Sequence, residues 1–202
     1  MCILVTKRAP NFSADALFPD GEIRSLSLAD YLGKYVLLFF YPMDFTFVCP
    51  TEIIGFSDAY DEFKDENVQI LGCSVDSVYS HHAWWMQARE DGGLGQNLRF
   101  PLVSDFNRNI SFNYNVLLEK GMAARGLFII DREGIVRHQT VNDLSLGRSI
   151  EEALRLVRAL KFVEQNGEVC PMNWRSGDPA IKPTVKDSLA YFQRQYGHFV
   201  KN

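Results

Sequence analysis

The residue best placed to do chemistry is Cys49, which is followed directly by Pro50. The apolar run YVLLFFY at 35–41 predicts a buried strand before it, and the amphipathic run 51–66 predicts a helix after it. Proline is favoured at the first position of a helix, because its missing N–H would have no partner there. We therefore expect Cys49 at the N-cap, where unpaired N–H groups and the positive end of the helix dipole favour a thiolate. The sequence predicts a reactive sulfur at a strand-to-helix turn.

The other cysteines are Cys2, Cys73 and Cys170. An even number can form structural disulfides, but that arrangement suits small secreted chains, and 202 residues can bury a sizeable core. The tripeptide Val-Cys-Pro surrounds both Cys49 and Cys170, which favours a catalytic or redox role for these two. Cys73 lies in the apolar run QILGCSV and is expected in the core, and Cys2 is expected to be terminal and mobile.

Composition narrows the classes of function. The net charge is −4 and the basic residues are scattered, so we expect neither nucleic-acid nor anionic-membrane binding. The longest apolar run is the seven residues at 35–41, too short to span a bilayer. The start MCILVTKRAPNF does not read as a signal peptide, and the expected location is cytoplasmic.

The elements that would position the cysteines form a mixed α/β domain, expected over 1–166, with an arm and helix at 167–202. Pro19-Asp20-Gly21 predicts the turn of an N-terminal hairpin. The runs 35–41 and 68–75 flank one predicted helix, which indicates a βαβ unit with parallel strands. Further strands at 100–103, 126–130 and 135–141 give a sheet of about five strands, and further helices are expected at 78–90, 150–165 and 186–196.

Pro42, Thr46 and Cys49 stand in the pattern Pro-x-x-x-Thr-x-x-Cys within FYPMDFTFVCPTE. This resembles the active-site signature of the peroxiredoxins, and APNF, RGLFIID, VNDLSLGRS and GEVCPMNW extend the resemblance to the typical two-cysteine class over nearly the whole chain. The resemblance implies a thioredoxin-like α/β fold with a mixed central sheet, an N-terminal hairpin and an extended C-terminal arm. It also implies reduction of hydrogen peroxide and organic hydroperoxides without a cofactor or metal.

The resemblance also implies roles at the matching positions. Cys49 would become a sulfenic acid, and Pro42 would end the strand and shield the pocket. The Thr46 hydroxyl would bond to the peroxide, although composition alone favours a loop threonine that bonds its own backbone. Arg125 would favour the thiolate and hold the peroxide, a solvated surface charge being the alternative.

Glu52 could simply be a capping acid in the first turn of the helix. In the family a glutamate here orients two arginines, and Arg148 matches the second of them after Arg125. Cys170 could simply be an unpaired exposed thiol. The resemblance makes it the resolving cysteine, reaching Cys49 of a partner subunit in a homodimer that assembles into a ring of five dimers. Thioredoxin or a similar dithiol would then reduce the disulfide.

Two motifs concern regulation. Gly92, Gly93, Leu94 and Gly95, together with Tyr191 and Phe192, resemble the paired motifs of peroxiredoxins that over-oxidise easily and that sulfiredoxin repairs. Ten residues follow Phe192, more than in most relatives, which leaves the sensitivity to over-oxidation open.

The sequence gives less support to functions other than peroxide reduction. A thioredoxin-like disulfide reductase needs a CxxC pair, and Cys49-Pro-Thr-Glu52 lacks the second cysteine. A holdase chaperone or a peroxide sensor stays open as a second activity. His81 and His82 are adjacent, and neighbours point to different faces of a helix, so both are interpreted as surface or packing residues.

Overall fold

The computed structural model describes residues 3–197, so the prediction for Cys2 lies outside the described residues. The strands are β1 (Ser13–Leu17), β2 (Ile23–Ser27), β3 (Tyr35–Phe40), β4 (Val68–Ser74), β5 (Leu102–Ser104), β6 (Arg125–Ile130) and β7 (Val136–Asn142). The α-helices are α1 (Cys49–Asp58), α2 (Tyr60–Asp65), α3 (Val78–Met86), α4 (Asn109–Asn113), α5 (Ile150–Asn166) and α6 (Val185–Tyr196). Two short 3-10 turns lie at Leu28–Tyr31 and Arg89–Asp91.

The strands of the described chain form one mixed sheet in the order β2-β1-β5-β4-β3-β6-β7. β4 is parallel to both β3 and β5, and the remaining pairs are antiparallel. The predicted βαβ unit and N-terminal hairpin are therefore confirmed. The sheet has seven strands rather than about five, because the hairpin joins it through β1, where Ala16 faces Val103 of β5.

Strand β3 lies in the interior of the sheet, and all six of its residues are buried. An unbroken apolar run is the pattern expected of a strand covered on both faces. Because β3 and β4 are parallel, their carboxyl ends meet at the same edge of the sheet. The chain leaves β3 at that edge and enters the loop that leads to Cys49.

The helix after this loop differs from the prediction in two ways. It begins one residue earlier, because Val48 already has helical dihedral angles (φ −82°, ψ −34°), so Cys49 is the first helical residue and not the N-cap. The single helix predicted over 51–66 is divided at Ala59, whose N–H bonds to the carbonyls of Gly55 and Ser57. Such tightening of the last turn is common at helix ends.

Polar side chains cap two of the short elements. Ser27 and Asp30 form both hydrogen bonds of a capping box at the turn Leu28–Tyr31. Ser77 caps α3 by accepting from the Ser80 N–H. α3 ends at Met86, four residues before the predicted end, and the short turn Arg89–Asp91 follows it.

The chain divides into two compact units, Met1–Ile150 and Glu151–Asn202. The boundary between residues 166 and 167, predicted from composition as the end of the α/β domain and the start of the arm, stays a prediction. In the second unit the arm contains one antiparallel bridge, between Val169 and Ile181, before α6 begins. Within residues 3–197, none of the helices has the length and apolar character needed to cross a membrane.

Candidate active site

Cys49 is the first residue of α1, and its side chain is fully buried. The N–H groups of the first helical turn have no partners within the helix, and the helix dipole places partial positive charge there. Arg125 lies on β6, the antiparallel neighbour of β3, and its Nη1 donates a hydrogen bond to the Cys49 sulfur at 3.4 Å. Two sources of positive charge therefore act on one buried sulfur.

A buried carboxylate connects Arg125 to a second arginine. Glu52, one turn after Cys49, accepts from Arg125 Nη1 at 2.7 Å. It also accepts from Nε and Nη2 of Arg148, both at 2.7 Å, and from the Arg148 backbone N–H at 2.9 Å. Each of the three side chains is only 2 or 3% exposed. We name this group, Glu52, Arg125 and Arg148, the arginine clamp.

The charges of the arginine clamp do not cancel. Two guanidinium groups and one carboxylate sum to +1, and a buried net charge is costly unless a counter-ion lies close by. Burial lowers the pKa of the Arg148 guanidinium, while Glu52 and the Cys49 sulfur raise it. A thiolate at Cys49 would bring the buried group to zero net charge, and Arg125 donates a hydrogen bond to that sulfur.

Backbone carbonyls hold the two arginines in place. Arg148 Nη1 donates to the carbonyls of Phe40 and Gly126, at 2.7 and 2.8 Å. Arg125 Nε donates to the Leu144 carbonyl at 2.7 Å. The ends of β3 and β6 and the loop after β7 thus fix the direction of both guanidinium groups. Sequence reasoning missed these acceptors, because any residue type supplies a backbone carbonyl.

The other two signature residues lie in the loop between β3 and α1. Pro42 is buried and is the second residue after the end of β3. The Thr46 hydroxyl donates to the Met43 carbonyl at 2.9 Å, which is the backbone contact considered as its structural alternative. That bond uses the hydroxyl proton and leaves the oxygen lone pairs able to accept a hydrogen bond from a substrate O–H.

A buried polar network anchors this loop. Asp44 accepts from the Tyr41 hydroxyl at 2.9 Å and lies 2.8 Å from His81 Nδ1. The Asp44 backbone N–H donates to Asp76 Oδ2 at 3.0 Å. His81 is fully buried, so it is a packing residue and not a surface one. Sequence reasoning missed its partnership with Asp44, because nothing local marks a contact across 37 positions.

The remaining described cysteines have different surroundings. Cys73 is fully buried in β4, as predicted, and burial followed by the charge of Asp105 raises the pKa of its thiol. Cys170 lies in the second unit and is half-buried. Burial raises the pKa of the Cys170 thiol, while Arg155 lowers it.

The glycine motif forms a tight loop after α3. Gly92 has φ +79°, and its carbonyl accepts from Trp84 Nε1 at 2.8 Å. A Cβ on Gly93 would lie 2.2 Å from the Gln87 carbonyl oxygen, and Leu94 is buried. The glycines are thus required by the packing of this loop itself. Tyr191 and Phe192 lie on α6, and their regulatory role stays a prediction.

Histidine, cysteine and carboxylate side chains form no cluster of three or more suited to a metal within residues 3–197. The arginine clamp instead suits a small polar substrate with an oxygen that gains negative charge. Donors directed at such an oxygen are the usual means of stabilising it.

Comparison with known proteins agrees with this geometry. Residues 5–139 match the AhpC/TSA family, and residues 159–194 match the C-terminal domain of 1-Cys peroxiredoxin. The chain is 54% identical to a thioredoxin peroxidase from Echinococcus granulosus, over 95% of this chain and 98% of that one. It is 53% identical to the chloroplastic 2-Cys peroxiredoxin BAS1 from Hordeum vulgare, over 94% and 90%. The crystal structure of reduced Plasmodium vivax 2-Cys peroxiredoxin superposes with a TM-score of 0.93 at 44% identity, covering 95% of this chain and 100% of that one.

Proposed function

Because the chain belongs to the AhpC/TSA family and is a peroxiredoxin, a thiol-dependent peroxidase with a thioredoxin-like fold, we propose that Cys49 is the sulfur that peroxide oxidises. The observation that carries this assignment is the hydrogen bond from Arg125 to the fully buried Cys49 sulfur at the start of α1. Cys73 lacks such a partner, and its raised pKa favours the thiol, so it is a poor nucleophile.

In the proposed first step the Cys49 thiolate attacks one peroxide oxygen and the O–O bond breaks. The other oxygen leaves as hydroxide or alkoxide and takes up a proton, and Cys49 becomes a sulfenic acid. Arg125 donates hydrogen bonds to the sulfur and to the reacting oxygens. Glu52, which also binds Arg148, keeps the Arg125 guanidinium in position. Thr46 accepts from the peroxide O–H, and Pro42 excludes water from the pocket.

In the proposed second step Cys170 of a partner subunit condenses with the sulfenic acid to form a disulfide. Thioredoxin or a similar dithiol reduces that disulfide by exchange. We further propose a homodimer, a ring of five dimers, repair by sulfiredoxin and a cytoplasmic location. β7 is the last strand in the order of the described sheet, and an edge strand is a position where a second copy can add a strand, which supports a dimer.

Two cysteine variants test the two steps. Cys49→Ser is expected to abolish peroxide consumption coupled to thioredoxin, whereas the matched core variant Cys73→Ser is expected to keep it. Full turnover by Cys49→Ser would refute the assignment of the peroxidatic cysteine.

The pairing is tested by mixing the Cys49→Ser and Cys170→Ser proteins after dissociation and reassembly. An intersubunit bond predicts that peroxide converts mixed dimers to covalent dimers on a non-reducing gel, while each variant alone stays monomeric. A covalent dimer in Cys170→Ser alone would contradict the proposed partner.

A further inference from the structure

The arm that carries Cys170 folds into a compact turn within the second unit. Trp174 is buried, and its ring centroid lies 4.7 Å from that of Phe162 on α5. Its backbone N–H donates to the Pro171 carbonyl at 3.2 Å, and its indole N–H donates to the Asp178 carbonyl at 3.0 Å. The segment after Cys170 is therefore packed against α5.

Arg155 on α5 is tied to the same turn. Its Nη1 donates to the Trp174 carbonyl at 3.2 Å, and Nε and Nη2 donate to Glu152 at 2.6 and 2.8 Å. The Cys170 sulfur lies 3.7 Å from the carbonyl oxygen of Ala159, one helical turn after Arg155 on the same face. The guanidinium and the sulfur thus lie over one face of α5, held by the same short turn.

This placement has an electrostatic consequence. Partial burial disfavours a thiolate at Cys170, and the charge of Arg155 opposes that effect. Burial is the larger effect and keeps the pKa of the Cys170 thiol raised. Only the thiolate is a useful nucleophile, so the charge of Arg155 increases the fraction of Cys170 that can react near neutral pH.

The other charged groups around Arg155 are arranged as ion pairs. Arg175 pairs with Glu151 at 2.8 Å, and both of these side chains are mostly exposed. Glu152 pairs with Arg155 itself. Arg158 lines the same cavity of about 200 Å³ as Arg155, Glu151 and Arg175. Arg155 is tied to the Cys170 turn by its hydrogen bond to the Trp174 carbonyl.

We propose that Arg155 is a positioning residue for the second half-reaction: it holds the 170–174 turn on α5 and supplies the positive charge that favours the Cys170 thiolate. The proposal rests on the resolving role proposed for Cys170. In that step the Cys170 thiolate forms an S–S bond to the sulfenic sulfur of Cys49. The S–O bond breaks, and the departing hydroxide takes up a proton to become water. Arg155 gains and loses no proton.

The charge effect is measured without any peroxidase step. In a Cys49→Ser background, the rate of Cys170 alkylation by iodoacetamide is followed from pH 6 to 10 by mass spectrometry of the Cys170 peptide. Arg155→Gln is expected to raise the midpoint by about 0.5 to 1 pH unit and to slow alkylation at pH 7 about 3- to 10-fold. Arg155→Lys keeps the charge and is expected to keep the midpoint. The matched control Arg175→Gln, which removes a cation from the same turn, is also expected to keep it.

A second variant keeps the proposal testable if Arg155→Gln does not fold. Glu152→Gln removes the carboxylate that offsets Arg155 and is expected to lower the midpoint for Cys170. An unchanged midpoint in both variants, or an equal rise with Arg175→Gln, overturns the proposal.

The same variants are then tested in the protein that retains Cys49. After one equivalent of peroxide, conversion of sulfenic acid to disulfide at pH 7 is expected to slow about 3- to 10-fold in Arg155→Gln. Formation of the sulfenic acid is expected to be unchanged. If the wild-type chain forms no disulfide between Cys49 and Cys170, the proposed function fails. If the disulfide forms but the alkylation midpoints do not move, only the inference about Arg155 fails.

Discussion

Arg125 and Arg148 both bind Glu52, yet the structure separates their contributions. Arg125 donates to the Cys49 sulfur as well as to Glu52, whereas Arg148 donates to Glu52 and to two backbone carbonyls. We expect Arg125→Gln to reduce chiefly the rate of oxidation, and Arg148→Gln to reduce chiefly the stability of the fold.

The magnitudes follow from the contacts that each variant loses. Arg125→Gln removes a charge-assisted hydrogen bond to the reacting sulfur, worth about 1.5 to 3 kcal/mol, which corresponds to about 10- to 150-fold in rate. Arg125→Gln also loses the donors to Glu52 and to the Leu144 carbonyl. Glu52 keeps its bonds to Arg148, so the loss of stability is expected to stay near 1 to 3 kcal/mol. Arg148→Gln removes two of the four hydrogen bonds to Glu52 and the donors to two buried carbonyls, and is expected to cost about 3 to 5 kcal/mol.

The rate is measured in a Cys170→Ser background, so that the reaction stops at the sulfenic acid. Reduced protein is mixed with one equivalent of peroxide and quenched at millisecond times, and trapped sulfenic acid at Cys49 is counted by mass spectrometry. Urea unfolding of each variant gives its stability and the fraction folded under assay conditions. Oxidation of Arg125→Gln within twofold of the parent rate would refute the role of its contact with the sulfur. Equal rate losses in both arginine variants would show that the clamp acts only as a scaffold.

Other contacts give further expectations. Glu52→Gln leaves two guanidinium groups buried without their counter-ion and is expected to lower the urea-derived free energy of unfolding by about 3 to 5 kcal/mol; a loss below 1 kcal/mol would contradict the burial argument. Thr46→Val is expected to lower kcat/KM for hydrogen peroxide about 10- to 100-fold, with Thr46→Ser near the parent value; equal activity of the two would leave the hydroxyl without a role. Gly93→Ala places a Cβ against the carbonyl at the end of α3 and is expected to lower the free energy of unfolding by about 1 to 3 kcal/mol; unchanged stability would contradict that close approach. Burial and Asp44 raise the pKa of Asp76, so its contribution to stability is complete below about pH 4 and is lost as pH rises through the folded-state pKa. Asp76→Asn, which cannot ionise, is therefore expected to gain stability relative to the parent as pH rises above about 4, and a constant difference in urea midpoint from about pH 4 to pH 7 would contradict the sign.

The local features of the site could be predicted from the sequence because short-range chemistry determines them. The apolar run before Cys49 predicted a buried strand, and all six residues of β3 are buried. Pro50 predicted the start of a helix, which begins within one residue of that expectation. Cys73 was predicted in the core from the apolar run around it, and it is fully buried there. The turn at Pro19-Asp20-Gly21 predicted a hairpin whose two strands pair as expected.

The position of the hairpin in the sheet could not be predicted from the sequence. The sequence of the hairpin does not indicate which strand it pairs with. Only the folded chain shows that β1 pairs with β5. The division of the predicted helix at Ala59 likewise has no local signal such as a proline or glycine, and the helical periodicity of Phe56 and Phe63 continues across it.

The sequence by itself determined that a thiol would lie at the start of a helix, beside the carboxyl end of a buried strand. Which charges surround that thiol followed from the resemblance to the peroxiredoxins and from the tertiary structure, and not from local sequence chemistry. Glu52 lies 73 positions from Arg125 and 96 from Arg148, and a single sequence records no pairing over such distances. The arrangement of β3 beside β6 brings the three side chains together. These three side chains are buried and carry a net charge of +1 beside the Cys49 sulfur, which accepts a hydrogen bond from Arg125.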